Sequence, residues 1–162
     1  MSLDLSESAT EPFLNSYKKL SDKSAPNNWM AMSIGDNKLV ANGEGTGGWN
    51  DLRAAFKDDS VNFGIIKVQA VDEQNSVRDK YIFITYVGSG VSVLKKARVS
   101  VQKDGVSKLF GGIGCFVDFD HEDLESGVKT ITQKLIASGG AHKPNFYDFG
   151  GGVKQTCDFH DA

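Results

Sequence analysis

Residues 81–87, YIFITYV, constrain the fold more than any other stretch of the chain. Every position is aromatic or β-branched. Both alternating sets, Tyr81, Phe83, Thr85, Val87 and Ile82, Ile84, Tyr86, are largely apolar. A strand with that pattern must be covered on both faces. Residues 61–71, VNFGIIKVQAV, repeat the pattern over a longer run, and the polar segment DEQNSVRD (72–79) between the two reads as a hairpin loop. Two neighbouring strands buried on both sides require a sheet with helices packed on each face.

The remaining elements fit that frame. Phe13, Tyr17 and Leu20 recur at helical spacing, with Ser8 or Thr10 able to cap and Pro12 in the first turn. Residues 29–34 and 38–41 flank Gly35-Asp36-Asn37, a hairpin signal. Trp49, Leu52 and Phe56 form one side of a second helix. Gly88 and Gly90 end the central strand, and a basic helix is expected from about Ser92. Val99, Val101 and Gly105 weaken it, so a break is expected near residues 102–105. Residues 113–120 read as a last strand. Residues 122–137 read as the cleanest helix, with Leu124, Val128, Ile131 and Leu135 as its buried stripe and acids in its first turn. Gly139-Gly140 closes that helix. The expected fold class is α/β (α+β): a single domain over residues 9–147, with a central mixed five-stranded sheet sandwiched between helices. Residues 1–8 are expected to be a flexible lead, and the Gly-rich residues 148–162 a flexible tail.

Charge is unevenly distributed. Residues 78–108 hold seven bases (Arg78, Lys80, Lys95, Lys96, Arg98, Lys103, Lys108) against two acids, or +5, in a chain whose net charge is −3. The rest therefore carries −8. A basic surface concentrated in an acidic protein points to an acidic partner. If the central strand is straight, its seven residues span about 23 Å, which would put Arg78 and Lys80 at one end of a face and Lys95, Lys96 and Arg98 at the other. An acidic chain argues against general nucleic-acid binding. No apolar run reaches the roughly 18 residues of a membrane span, and the polar, acidic start carries no signal-peptide core. Two isolated cysteines make no disulfide framework. These features together place the expected location in the cytoplasm.

Reactive chemistry finds little support. GEGTGG (43–48) lacks the Lys and Ser/Thr of a phosphate-binding loop, and no long strand feeds straight into it. His121, His142 and His160 have no evident nucleophile partner, so no catalytic residues are assigned. DFDHED (118–123) fails as a calcium loop, with Asp123 at the sixth position and Lys129 at the twelfth. Cys157 and His160 cannot complete a tetrahedral zinc site alone. No cofactor or metal is expected.

RDKYIFITYVG (78–88), VSVLKKAR (91–98), LIASGGA (135–141) and FKDDSVNFGIIKV (56–68), in this order and spacing, resemble the actin-depolymerising-factor homology (ADF-H) domain family, and within it the coactosin branch. The resemblance spans roughly residues 8–147. It implies a mixed sheet between two pairs of helices and no catalysis. It also implies binding to the sides of actin filaments, weak or absent monomer binding and interference with barbed-end capping. On that basis Lys80 matches the key filament contact, with Arg78 beside it, and Lys95, Lys96, Arg98 and Lys103 match the long-helix contacts. Ala97 stands where cofilin-type members carry a methionine that enters a cleft on actin, and it buries about 1–2 kcal/mol less apolar surface. The alternative within the family is a cofilin-like monomer-binding or severing factor. Phosphoinositide headgroups are a secondary expected ligand of the basic surface, and the chain is expected to be a monomer. The regulatory serine of cofilins has only Ser2 and Ser6 as positional counterparts.

Overall fold

One sheet organises the chain. The computed structural model describes residues 2–139 and 143–157. Its strands are β1 (Trp29–Gly35), β2 (Lys38–Gly45), β3 (Val61–Val71), β4 (Val77–Val87), β5 (Cys115–Phe119), β6 (Phe146–Gly150) and β7 (Val153–Thr156). Five form a continuous path in the order β2-β1-β3-β4-β5, antiparallel except for the parallel β4–β5 pair. This is the expected mixed sheet, with helices on both faces. The helices are α1 (Glu7–Leu20), α2 (Trp49–Ala55), α3 (Val93–Lys96), α4 (Val99–Ser107) and α5 (Gly127–Ser138).

Strand alternation divides the core into two layers. Ile66, Val68, Ile82 and Ile84 pack with Trp49 and Leu52 of α2 and Ile131 and Leu135 of α5. Phe63, Ile65 and Phe83 pack with Phe13, Tyr17 and Leu20 of α1 and Val106 of α4. Both faces of β3 and β4 are thus filled, as their composition demands. Gly64 allows α2 to sit close, because a Cβ there would lie 2.9 Å from Leu52 Cδ1. The β1–β2 turn uses Asp36 and Asn37 at φ 51° and 61°, the left-handed pair that matches hairpin twist.

Several expectations change. The segment from residue 148, read as a flexible tail, supplies most of a hairpin through residue 156; residues 158–162 lie outside the described residues, as do Gly140 and His142. β6 pairs with Gln69–Val71 of β3, end to end with β1, and β7 pairs with β6, so the sheet has seven described strands rather than five. Tyr147 and Phe149 alternate inward and are fully buried. The glycines that suggested looseness make the connection: Gly150, Gly151 and Gly152 all adopt positive φ. The lead is also attached. Helix α1 begins at Glu7, the Asp4 amide donates to Asn37 O at 2.7 Å, and Leu3 and Leu5 pack on the second core layer. Pro12 consequently lies inside the helix rather than in its first turn.

The basic helix breaks at Ala97–Arg98, not at 102–105. Arg98 N bonds to Lys95 O three residues back, a tighter turn than the α-helix, and the next helix starts at Val99. Gly105 stays helical because it is a packing position, where a Cβ would meet Leu5 Cδ1 at 2.9 Å. The final helix starts as a 3₁₀ turn, Asp123–Ser126, before α5.

Candidate docking surface

β4 begins four residues earlier than its apolar run, so Arg78 and Lys80 stand on the strand and not before it. They pair across to Ala70 and Val68 of β3. By alternation they share the sheet face of Ile82 and Ile84, the face packed by α2 and α5. Arg78 is exposed and Lys80 half-buried.

The second group of cations follows the opposite end of β4. Helix α3 buries no residue at all. Lys95, Lys96 and Arg98 are exposed, and Val93 and Leu94 beside them are 84% and 70% exposed. On α4, Val101 is 78% exposed and sits across a cleft from Phe116 of β5, itself 54% exposed. This is a mixed apolar and cationic surface, unlike a purely solvated charge run. Lys103, also on α4, is half-buried and donates from Nζ to Asp118 Oδ2 at 2.7 Å. Lys108 pairs with Asp104 one turn away at 2.9 Å. Arg78, Lys80, Lys95, Lys96 and Arg98 make no ion pair among the described residues.

The expected layout, two groups at opposite ends of one face, is therefore revised. Seven residues of β4, 81–87, about 23 Å of strand, lie between the groups along the chain. The groups also belong to different layers, because α4 covers the face of Phe83 while Lys80 lies on the face of Ile82. Lys103 is the member most committed to an internal partner.

A hydrogen-bonded latch holds the turn that leads into α3. The Asp58 carboxylate accepts from the Ser89 amide at 2.9 Å, from the Ser89 hydroxyl and from the Tyr86 hydroxyl at 2.9 Å. Asp58 O accepts from Gly90 N at 2.8 Å, and Ser60 O from Gly88 N at 3.1 Å. The Ser89 side-chain and backbone bonds, with that of Tyr86, hold the Asp58 carboxyl down at about 2. Burial, followed by the bond to Asp58, pushes the Tyr86 hydroxyl up to about 12. His121 Nδ1 lies 3.5 Å from Asp58 Oδ1 and 3.4 Å from the Tyr86 hydroxyl, bringing in the β5 end. Serine, carboxylate and imidazole meet here, yet in the wrong order for nucleophilic catalysis: the serine proton is held by the carboxylate and the imidazole bonds elsewhere. Sequence reasoning missed this latch. Its one local signal was the pair of glycines around Ser89, since a Cβ at Gly88 would lie 2.1 Å from Asp58 O.

Comparison with known proteins gives the relatives of this architecture. A family profile described as cofilin/tropomyosin-type actin-binding protein matches residues 8–135. Coactosin of Dictyostelium discoideum is 30% identical over 131 residues, covering 80% of this chain and 89% of that protein. The crystal structure of coactosin from Entamoeba histolytica superposes with a TM-score of 0.69 at 24% identity, over 85% of this chain and 99% of that one. The solution structure of mouse coactosin, an actin filament binding protein, gives 0.64 at 22% identity, over 82% and 91%. The chain is a coactosin-like member of the cofilin/tropomyosin-type actin-binding protein family.

Proposed function

We propose that this protein binds the sides of actin filaments through two separate basic patches, binds monomers weakly, and acts without catalysis in the cytoplasm as a monomer that opposes barbed-end capping. The observation that carries the reading is the set of unpaired cations at the two ends of β4, Arg78 with Lys80 and Lys95 with Lys96 and Arg98. Patches on different layers, following opposite ends of the 81–87 run of β4, suit a partner that presents the same acidic surface repeatedly. A polymer offers a second subunit to the second patch, so the two contacts act as one bivalent attachment; a monomer offers only one. The name of the mouse relative agrees with a filament partner.

Ala97 supports weak monomer binding, because a methyl at that helix junction cannot fill an apolar cleft. A cofilin-like, monomer-binding reading draws on one observation, the exposed Val93 and Leu94 next to it. Pyrene-actin assembly separates the two: a raised critical concentration and loss of filaments favour the second. Anionic phosphoinositide headgroups are a secondary ligand of the same cations, tested by vesicle flotation.

The direct test is co-sedimentation with filaments. Wild type pellets, and less so as salt rises, because the contacts are charged. Lys80→Glu and Lys96→Glu bind far more weakly than Lys18→Glu on exposed positions of α1. If all three pellet like wild type, the surface assignment is wrong.

A further inference from the structure

We propose that Ser100 is a phosphorylation site for a kinase that selects basic segments, and that its phosphate switches off the α3–α4 patch. Three observations converge. First, the flanking charges are one-sided: Lys95, Lys96 and Arg98 precede Ser100 and Lys103 follows it, with no acid from residue 80 to 103. A kinase with an acidic substrate cleft reads such a pattern.

Second, Ser100 is the one serine hydroxyl of this segment that makes no hydrogen bond among the described residues. Of the four serines from 89 to 107, Ser89 is bound to Asp58, Ser92 caps Lys95 N at 3.3 Å, and Ser107 donates to Asp104 O at 3.1 Å. Ser100 is exposed and makes no side-chain hydrogen bond among the described residues.

Third, the segment opens at little cost. Kinase clefts take extended chain, and Ser100 is helical. Yet α3 buries nothing, α4 fully buries only Val106 with Val99 partly buried on the same core layer, and the helix is already interrupted at Ala97–Arg98 with no side-chain cap at Arg98. A segment with so few buried contacts unfolds locally without the rest.

In the transfer, Ser100 Oγ bonds to the γ-phosphorus of a nucleoside triphosphate and the β–γ anhydride bond breaks. The nucleoside diphosphate leaves, and the hydroxyl proton passes to the kinase base and then to solvent. The product carries nearly two negative charges. Ser100, Lys96 and Lys103 line one cleft, whose other wall holds Asp118, Asp120 and Glu122. The new dianion draws both lysines inward, competes with Asp118 for Lys103, and repels an acidic partner.

The loss of binding rests on the filament reading above; the modification does not. The full chain is incubated with ATP and the catalytic subunit of a basic-directed serine kinase, and the phosphate is mapped by mass spectrometry. One phosphate on Ser100, absent from Ser100→Ala, is expected. No phosphate there, or transfer to Ser89, Ser92 or Ser107 instead, overturns the proposal. The phosphorylated form is then compared with wild type and Ser100→Ala in filament co-sedimentation. It should bind about tenfold more weakly or worse, with Ser100→Ala unchanged. Equal binding of the phosphorylated form overturns the switch. If unmodified wild type never pellets, the filament reading has failed, and the mapped phosphate still decides whether Ser100 is the acceptor.

Discussion

Phe149→Ala separates a loose tail from a structural hairpin. Phe149 is fully buried in the first core layer, its ring edge-on to Trp49 with centroids 6.4 Å apart and planes at 83°. The β6 backbone around it is fixed by pairing with β3 and β7, so the site cannot collapse easily. Truncating a buried phenylalanine in such a site costs about 3–5 kcal/mol, against a total stability of about 5–15 kcal/mol for a domain. For a chain of this size that lowers the melting temperature by about 6–20 °C. Urea melts followed by tryptophan fluorescence measure it directly, since Trp49 is the contacted ring. Thr156→Ala, exposed on β7, is the control and should stay within about 0.5 kcal/mol of wild type. A Phe149→Ala melt superimposed on wild type would refute the packing argument and restore the loose-tail reading.

Three other outcomes follow from the surface and the latch. Lys80→Glu and Lys96→Glu should each lose about a hundredfold on filaments, because each removes one of two linked attachments, and far less on monomers, which engage one patch at a time; equal losses on filament and monomer would rule out bivalency. Ala97→Met should tighten monomer binding by about 1–2 kcal/mol, or about fivefold to thirtyfold, read by fluorescence titration of labelled monomer, with no change meaning that Ala97 does not face the cleft. Asp58 has a folded value of about 2, below its ordinary 3.8, so its contribution to stability is complete above about pH 4 and is lost as pH falls toward 2. Asp58→Asn should therefore melt with a flatter acid limb than wild type over that range, and parallel limbs would contradict the latch.

The sheet was legible because its signal is compositional. Residues 61–71 and 81–87 are mostly apolar on both faces, and only a covered central strand tolerates that. The β1–β2 turn was legible because Asp36 and Asn37 are residue types that accept the backbone it needs. The hairpin at the C-terminal end was not. Its strands have five and four residues, its turn is Gly151-Gly152, and its partner Gln69–Val71 lies more than seventy residues away. Local propensity has no access to that pairing. The helix break was misplaced for a related reason: Gly105 reads as a weak point, but Leu5 needs the space its missing side chain leaves.

The proposed binding residues illustrate the same limit with a functional consequence. Read along the chain, residues 78–108 are one strip of +5. In the fold, a strand turns neighbouring residues to opposite faces and carries the chain across the molecule, so position along the sequence is a poor guide to position on the surface. Lys80 stays on the α2–α5 side, and the chain then passes around the end of β4 through the Asp58 latch toward the layer that α4 covers. One strip becomes two patches. A single acidic face could neutralise the strip, whereas two patches on different layers ask for two faces held in fixed relation. In the function proposed above, that requirement favours a polymer over its free subunit. It also makes the latch more than a local fastening: Asp58 ties the α2–β3 loop to the turn before α3 and so fixes the direction in which the second patch points relative to the first.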